Sequence, residues 1–280
     1  MKRLYIIIIG VMAGVLMGRA QHRDSVFVTA ALAEARSLPR TTNFPLHFAR
    51  LFIGRPYVAH TLEVNDEEQL VTNTAQLDCT TLVENVAALT LCAYRNLYTW
   101  RDFRNALVEM RYRRGILNGY TSRLHYFSDW IDDNTAKTLV VEVQSPTPPF
   151  TATQTLDVHY MSQHPQAYKA LKAHPAMTAA IKAQEDSLTG RQYRYIPKAE
   201  VGNTKAMRSA VRDGDIIAIT CSKPGLDIAH LGFAVWREDG LYLLNASQLH
   251  KRVVEEPMTL GQYLSKHPSH TGIRVVRILH

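Results

Sequence analysis

The chain has 280 residues, 46% hydrophobic and 20% charged, with a formal net charge of +7. That length and balance allow a full hydrophobic core, as one large domain or two small ones, and exclude a disordered or low-complexity chain. Lys2, Arg3 and Arg19 carry three of the charges, so residues 21–280 hold only +4 (7 − 3), a mild excess that suits an anionic polymer and does not point to nucleic acid.

At the start, Lys2 and Arg3 precede an apolar run from Leu4 to Met17, followed by Gly18-Arg19-Ala20. A positive start, a short apolar core and small residues at a cut site predict a secretory signal peptide over residues 1–20, removed near Ala20. The run is short for a membrane span, and no later stretch is apolar enough for one. The expectation is an exported protein, periplasmic in a bacterium, and free of the membrane after cleavage. Residues 21–280 then form a single domain.

Asp24 can cap a helix running to about Ser37, and Leu46–Ile53 reads as a second helix ended by Gly54 and Pro56. Tyr57–Val64 has extended character. A helix from about Asp78 to Tyr94 follows, with Leu82, Val83, Val86 and Leu89 on one apolar stripe. Trp100–Arg113 predicts another, closed by Gly115. The cluster Arg111-Tyr112-Arg113-Arg114 reads as a solvated face. Ser145-Pro146-Thr147-Pro148-Pro149 breaks the pattern. A helical insertion around 150–205 follows, interrupted at Pro165 and Pro175. From Gly214 the texture turns to strand: Ile216–Thr220, His230–Trp236, Leu241–Asn245 and Ile273–Leu279. Helices first and an antiparallel sheet after them make an α+β fold.

Three cysteines, Cys79, Cys92 and Cys221, leave at least one thiol unpaired. On one helix Cys79 and Cys92 stand roughly 20 Å apart, too far for a disulfide. Cys92 follows an apolar run and Cys221 ends a strand, so both read as small hydrophobes. Cys79 sits at a helix start, where free N–H groups and the helix dipole favour a thiolate.

A cysteine nucleophile needs a base and a group that orients the base. Of twelve histidines, His230 stands out, at the beginning of a strand beside a loop. The following strand ends in Asn245, with Asp227 and Gln248 as other possible orienters. A two-residue turn at Asp239-Gly240 would put Asn245 opposite Ala234. Reaching His230 requires a turn centred earlier, or a bulge. The stretch from Thr121 to Trp130 concentrates aromatics, an arginine and a histidine. Arg123, His125 and Tyr126 are therefore candidate substrate-binding residues, by stacking or by pairing with a carboxylate, and Tyr57 is another, as a tyrosine near the cysteine that could line the substrate cleft. No short Cys-x-x-Cys or His-x-x-x-His pair supports a metal site, and no Gly-rich phosphate loop is present.

Asp78-Cys79 at a helix start, Asp213-Gly214-Asp215-Ile216-Ile217 opening a strand, and His230-Leu231-Gly232 opening the next resemble the NlpC-type, papain-like cell-wall peptidases. Phe52-Ile53-Gly54-Arg55-Pro56-Tyr57, Thr61-Leu62-Glu63, Leu77–Asn85, Ser122–Phe127 and Gly225–His230 narrow the resemblance to the N-acetylmuramoyl-L-alanine amidase-like branch. It implies a papain-like fold with a Cys79–His230–Asn245 triad and no cofactor. It also implies peptidoglycan fragments (muropeptides) as substrate, cut between N-acetylmuramic acid and L-alanine. The rival expectations are the same triad acting on a γ-D-glutamyl–diaminopimelate bond, and an inert peptidoglycan-binding protein.

Overall fold

The computed structural model describes residues 21–280. The signal peptide expected over residues 1–20 lies outside the described residues. Five helices come first: residues 21–37 (α1), Phe44–Arg50 (α2), Cys79–Tyr94 (α3), Trp100–Arg111 (α4) and Phe127–Ala136 (α5). The strands are β1 (Val140–Val143), β2 (Ala152–Thr155), β3 (Gln192–Pro197), β4 (Ile216–Cys221), β5 (Ile228–Trp236), β6 (Leu241–Ser247), β7 (Arg252–Glu255) and β8 (His270–Ile278). They form one sheet in the order β2-β3-β8-β4-β5-β6-β7, with β1 also on β8, and every strand pair is antiparallel. The fold is α+β, with helices on a mostly antiparallel sheet.

Both faces of the sheet are covered, so β4 and β6 read as unbroken apolar runs rather than as alternation. Ala218, Phe233 and Leu244 pack on one side with α2, α3 and α4. Ile217, Leu243 and Ile273 pack on the other, against Leu260 and Leu264 of α10 (Leu260–Ser265) and Met207 of α9 (Lys205–Ala210). The insertion carries a small core of its own, including Leu156, Met161, Ile181 and Leu188. It holds α6 (Tyr160–Gln163), α7 (Lys169–Ala173) and α8 (Met177–Leu188), but it opens and closes in strand: β2 pairs with β3, and β3 joins β8.

Several sequence expectations give way here. Asp24 caps nothing; its Oδ1 accepts from the Thr74 N–H at 2.9 Å and the Thr74 hydroxyl at 2.7 Å, tying α1 to the loop before α3. Asn43, through Leu46, caps the second helix instead. Tyr57–Val64 is mostly turn, although residues 54–58 run beside β7. Gly54 N–H bonds Val253 C=O at 2.9 Å and Tyr57 N–H bonds Lys251 C=O at 2.9 Å. Leu77 bonds the other side of this segment, N–H to Pro56 C=O at 3.1 Å. That short ladder sets where α3 begins. The α3 helix has no apolar stripe, because Thr81 to Ala93 are all buried. It is the central helix, enclosed on every side.

The Arg111–Arg114 cluster is not a solvated face either. Arg111 is 2% exposed, bonds the Glu84 carboxylate at 2.7 Å and donates to the Val71 carbonyl at 2.6 Å. Arg113 pairs with Asp129 at 2.5 Å. Gly214 has φ +82°, and a Cβ there would lie 2.4 Å from Asn43 Oδ1. The Asp213-Gly214-Asp215 turn is thus a structural joint that starts β4, with Asp215 accepting from Arg277 at 2.7 and 2.8 Å.

Candidate active site

Cys79 is the first residue of α3. Asp78 caps it through a reciprocal box: Asp78 Oδ1 accepts from Thr81 N–H at 2.8 Å, and Thr81 Oγ1 accepts from Asp78 N–H at 2.9 Å. The Leu231 N–H, the Thr80 hydroxyl and the Thr80 N–H lie near the sulfur and favour its charged form, which places the thiol against β5. The thiol lines a cavity of about 240 Å³ together with His230, His125, Asp227 and, from the insertion, Met161 and Tyr168.

His230 lies in β5, where the pairing with β4 slips between Ile219 and Thr220. Such bulges re-aim side chains at strand ends. The β5–β6 hairpin pairs Trp236 with Leu241 and Phe233 with Leu244, so its loop is four residues, not the two at Asp239-Gly240. Continuing that register sets Asn245 beside Gly232, diagonal to His230 on the same face of the sheet. His230 Nε2 and Asn245 Oδ1 are 2.9 Å apart. Asn245 Nδ2 donates to Glu256 Oε1 at 2.9 Å. A carboxylate only accepts, so the amide oxygen faces the ring, Nε2 carries the hydrogen and Nδ1 holds the lone pair. The expected pairing opposite Ala234 is off by two residues, and a diagonal contact replaces it.

The thiol is not pre-ionised. Burial pushes the Cys79 pKa up to about 12, the Asp78 charge adds to this, and the three neighbouring groups only partly oppose it. A helix start favours a thiolate, but burial, the largest cause, and the Asp78 charge raise the thiol's pKa against it. Burial also lowers the His230 pKa, against the Asn245 hydrogen bond and the Glu256 charge. Resting thiol and imidazole are both neutral, the state in which an imidazole can take a proton as the sulfur attacks.

The four candidate binding residues separate. His125 lines the cavity, with Nε2 2.9 Å from the Tyr120 carbonyl, so Nε2 donates and Nδ1 is left as an acceptor. Burial, then the Arg123 charge, hold its pKa down to about 3, so the ring stays neutral. Tyr126 lines the cavity with its ring, but its hydroxyl is committed, donating to Glu185 at 2.6 Å and accepting from Met161 N–H at 3.1 Å. Tyr57 stands near the thiol; burial, then the Cys79 sulfur once it ionises and the Asp78 charge, raise its pKa to about 12. Arg123 does not line the cavity. It is 6% exposed, paired with Glu63, and 3.6 Å from Glu68, so its guanidinium is not free for a substrate carboxylate.

Met161 and Tyr168 carry no sequence signal for a site, because only the docking of the insertion brings them there. Asp227, considered as an orienter, instead accepts from Ser128 N–H at 2.6 Å at the start of α5. The other cysteines are free, with Cys92 buried and Cys221 half-buried. Among the described residues, no three His, Cys, Asp or Glu side chains converge as a metal site. No helix among them is long and apolar enough to cross a membrane.

The family model described as N-acetylmuramoyl-L-alanine amidase-like matches residues 47–273. The chain belongs to that family. The amidase-like match spans α3, the insertion and every strand named at the site. A crystal structure of an N-acetylmuramoyl-L-alanine amidase from Bacteroides uniformis is 41% identical, covers 85% of this chain and 98% of its own, and has a TM-score of 0.79. A Bacteroides fragilis structure whose name proposes a xylanase is 40% identical, covers 82% and 99%, and has a TM-score of 0.77. A protein from Legionella pneumophila, 20% identical over 94% and 97% with a TM-score of 0.71, shares the fold. No match is found among curated proteins.

Proposed function

We propose that this amidase-like protein is a cysteine amidase that cuts peptidoglycan fragments between N-acetylmuramic acid and L-alanine. The observation that carries the reading is that His230, held by buried Asn245 at 2.9 Å, lines one cavity with Cys79. Cysteine at a helix start, histidine on a strand and asparagine on the next strand also support a place in the papain-like superfamily. In this mechanism Nδ1 of His230 takes the thiol proton as Cys79 attacks the amide carbonyl. The Cys79 N–H precedes the first intrahelical bond, Leu82 to Asp78, and is placed to stabilise the oxyanion. The imidazolium then protonates the leaving amine of L-alanine, and His230 activates the water that releases the acyl enzyme. Tyr57 and His125 contact the substrate near the reacting bond, and Tyr126 shapes the wall through its ring. The protein acts outside the cytoplasm, after loss of residues 1–20, where peptidoglycan lies.

The cavity is smaller than the roughly 300–1,000 Å³ of clefts that enclose a whole ligand. It suits the scissile amide and the L-alanine methyl, with sugar and stem outside. A xylanase reading fits the cavity poorly, since glycoside hydrolysis uses two facing carboxylates. Asp227 is the carboxylate that lines it, and that group is already bonded to Ser128.

Mass spectrometry of digested muropeptides tests the bond. Release of a stem peptide that keeps its L-alanine, together with the intact sugar, is expected. Products split between D-glutamate and the diamino acid would show the endopeptidase instead. The pH profile follows from the site. Activity needs neutral His230, whose pKa lies below the usual 6.5 of imidazole because of burial. The acid limb of kcat/KM is therefore expected below pH 6.5, with activity kept as pH falls through that value and lost only beneath it. An acid limb above 6.5 in initial-rate measurements would contradict the assignment.

A further inference from the structure

Behind Asn245 stands a carboxylate that the mechanism above does not use. Glu256 follows β7 directly and is 0% exposed. Its Oε1 accepts from Asn245 Nδ2 at 2.9 Å, and its Oε2 lies 3.1 Å from Nε2 of the partly exposed His250. The Glu256 N–H is itself fixed by the Leu243 carbonyl at 2.8 Å. A chain of contacts thus runs from the surface at His250 through Glu256 and Asn245 to His230. An asparagine amide can present either its oxygen or its nitrogen to a neighbour. With the nitrogen toward His230, Nε2 would become the acceptor and the hydrogen would move to Nδ1, the atom that must stay free to take the thiol proton.

We propose that Glu256 is a positioning residue of this site: its buried carboxylate holds the Asn245 amide with the oxygen toward His230 and so selects the imidazole tautomer that acts as base. This rests on the cysteine-amidase reading for the role of His230, but not on which bond is cut. Glu256 also supplies a negative charge near the ring. The other titratable groups around His230 are Asp78 before α3, Tyr263 on α10 with its ring centroid 6.4 Å away, His267 just beyond α10, and His270 on β8. Glu256 and Asp78 favour the imidazolium, while His267 and His270 disfavour it.

The two contributions can be separated by substitution. Glu256→Gln keeps both contacts: its amide oxygen accepts from Asn245 and its amide nitrogen donates to His250 in the other tautomer. Only the charge is lost. Glu256→Ala loses the charge and frees the amide. Glu256→Asp keeps the charge but withdraws the oxygens by one methylene. The readouts are kcat and KM on a muramoyl-L-alanine muropeptide against pH, and the pH dependence of Cys79 alkylation by iodoacetamide. Alkylation reads the Cys79–His230 pair without any assumption about substrate. If hydrolysis fails in the unmodified protein, the amidase reading falls while the alkylation profiles still decide the role of Glu256.

Glu256→Gln is expected to hold the plateau rate within about threefold while its acid inflection moves to lower pH. Glu256→Ala is expected to lose at least tenfold in plateau kcat, with KM within about twofold. If the alanine variant does not fold, Glu256→Asp carries the test, with a plateau loss and an inflection that moves less than in the glutamine variant. A merely structural role would lower the yield of folded protein and leave the plateau kcat of the folded fraction unchanged, since the lost charge moves the inflection whether or not the amide is held. Wild-type plateau rates in the alanine or aspartate variant, or an unmoved inflection in the glutamine variant, would overturn the proposal.

Discussion

Replacing Cys79 by alanine is expected to lower muropeptide hydrolysis by at least roughly 10⁴-fold, since removing the nucleophile of a catalytic unit leaves only binding and oxyanion contacts. The fold should survive. Cys79 is the first residue of α3, half-buried, and the cap that starts the helix uses Asp78 and Thr81 rather than the thiol. A stability change within about 1 kcal/mol is expected for so small a truncation at such a position. Thermal unfolding beside the rate measurement separates lost chemistry from lost structure. A folded Cys79→Ala protein with full activity would refute the cysteine mechanism, and hydrolysis would then need another nucleophile. The neutral resting thiol adds a second expectation. Iodoacetamide should modify Cys79 in the protein with intact His230 faster than in a His230→Ala variant, because at neutral pH the thiol with a pKa near 12 depends on the imidazole to remove its proton.

The largest effect on stability is expected at Arg111. Burial raises the Glu84 pKa, and the facing guanidinium opposes that shift. Arg111→Ala strands Glu84 in the interior, 2% exposed, and removes the donor to the Val71 carbonyl. Breaking a buried pair from one side costs about 3–5 kcal/mol, which for a domain of this size lowers Tm by roughly 6–20 °C. The partner residues lie on α3 and α4 and in the loop before α3, so weakening should spread to the helix that begins at Cys79. Calorimetry of the Arg111→Ala protein checks this, and a Tm within 2 °C of the parent would show that the pair contributes little. A double replacement by apolar residues of matching volume should recover much of the loss, because no buried charge is then left unpaired.

Much of the site was legible in the chain. The Asp78-x-x-Thr81 cap ahead of an apolar run marks a helix start, and a cysteine inside that cap is rare enough to single out. His230 could be named because an apolar strand run follows it beside a loop, although β5 itself begins two residues earlier, at Ile228. The strands β4, β5, β6 and β8 announced themselves through runs of Ile, Val and Leu, while β1, β2, β3 and β7 went unseen. β2 and β3 are short and polar on alternate residues, and strand propensity alone does not raise such segments above a loop. The basic Arg111–Arg114 run misled because its partners, Glu84 and Asp129, are far away in sequence. Arg123 misled for the same reason: Glu63 and Glu68 claim it across a distance that no local pattern records.

Local chemistry therefore settled what could be read residue by residue: the caps, the apolar runs, the one cysteine placed at a helix start and the candidate base. These depend on backbone geometry within a turn or a strand, which a few neighbouring side chains dictate. Tertiary structure decided the rest. Only the four-residue hairpin loop brought Asn245 diagonal to His230, and only the packed sheet placed Glu256 behind that amide. Only the docked insertion put Met161 and Tyr168 on the cavity wall. The ionisation of the thiol was decided there as well. A helix start favours a thiolate, but the chain around it removes water from the sulfur, and that desolvation depends on which distant segments close over it.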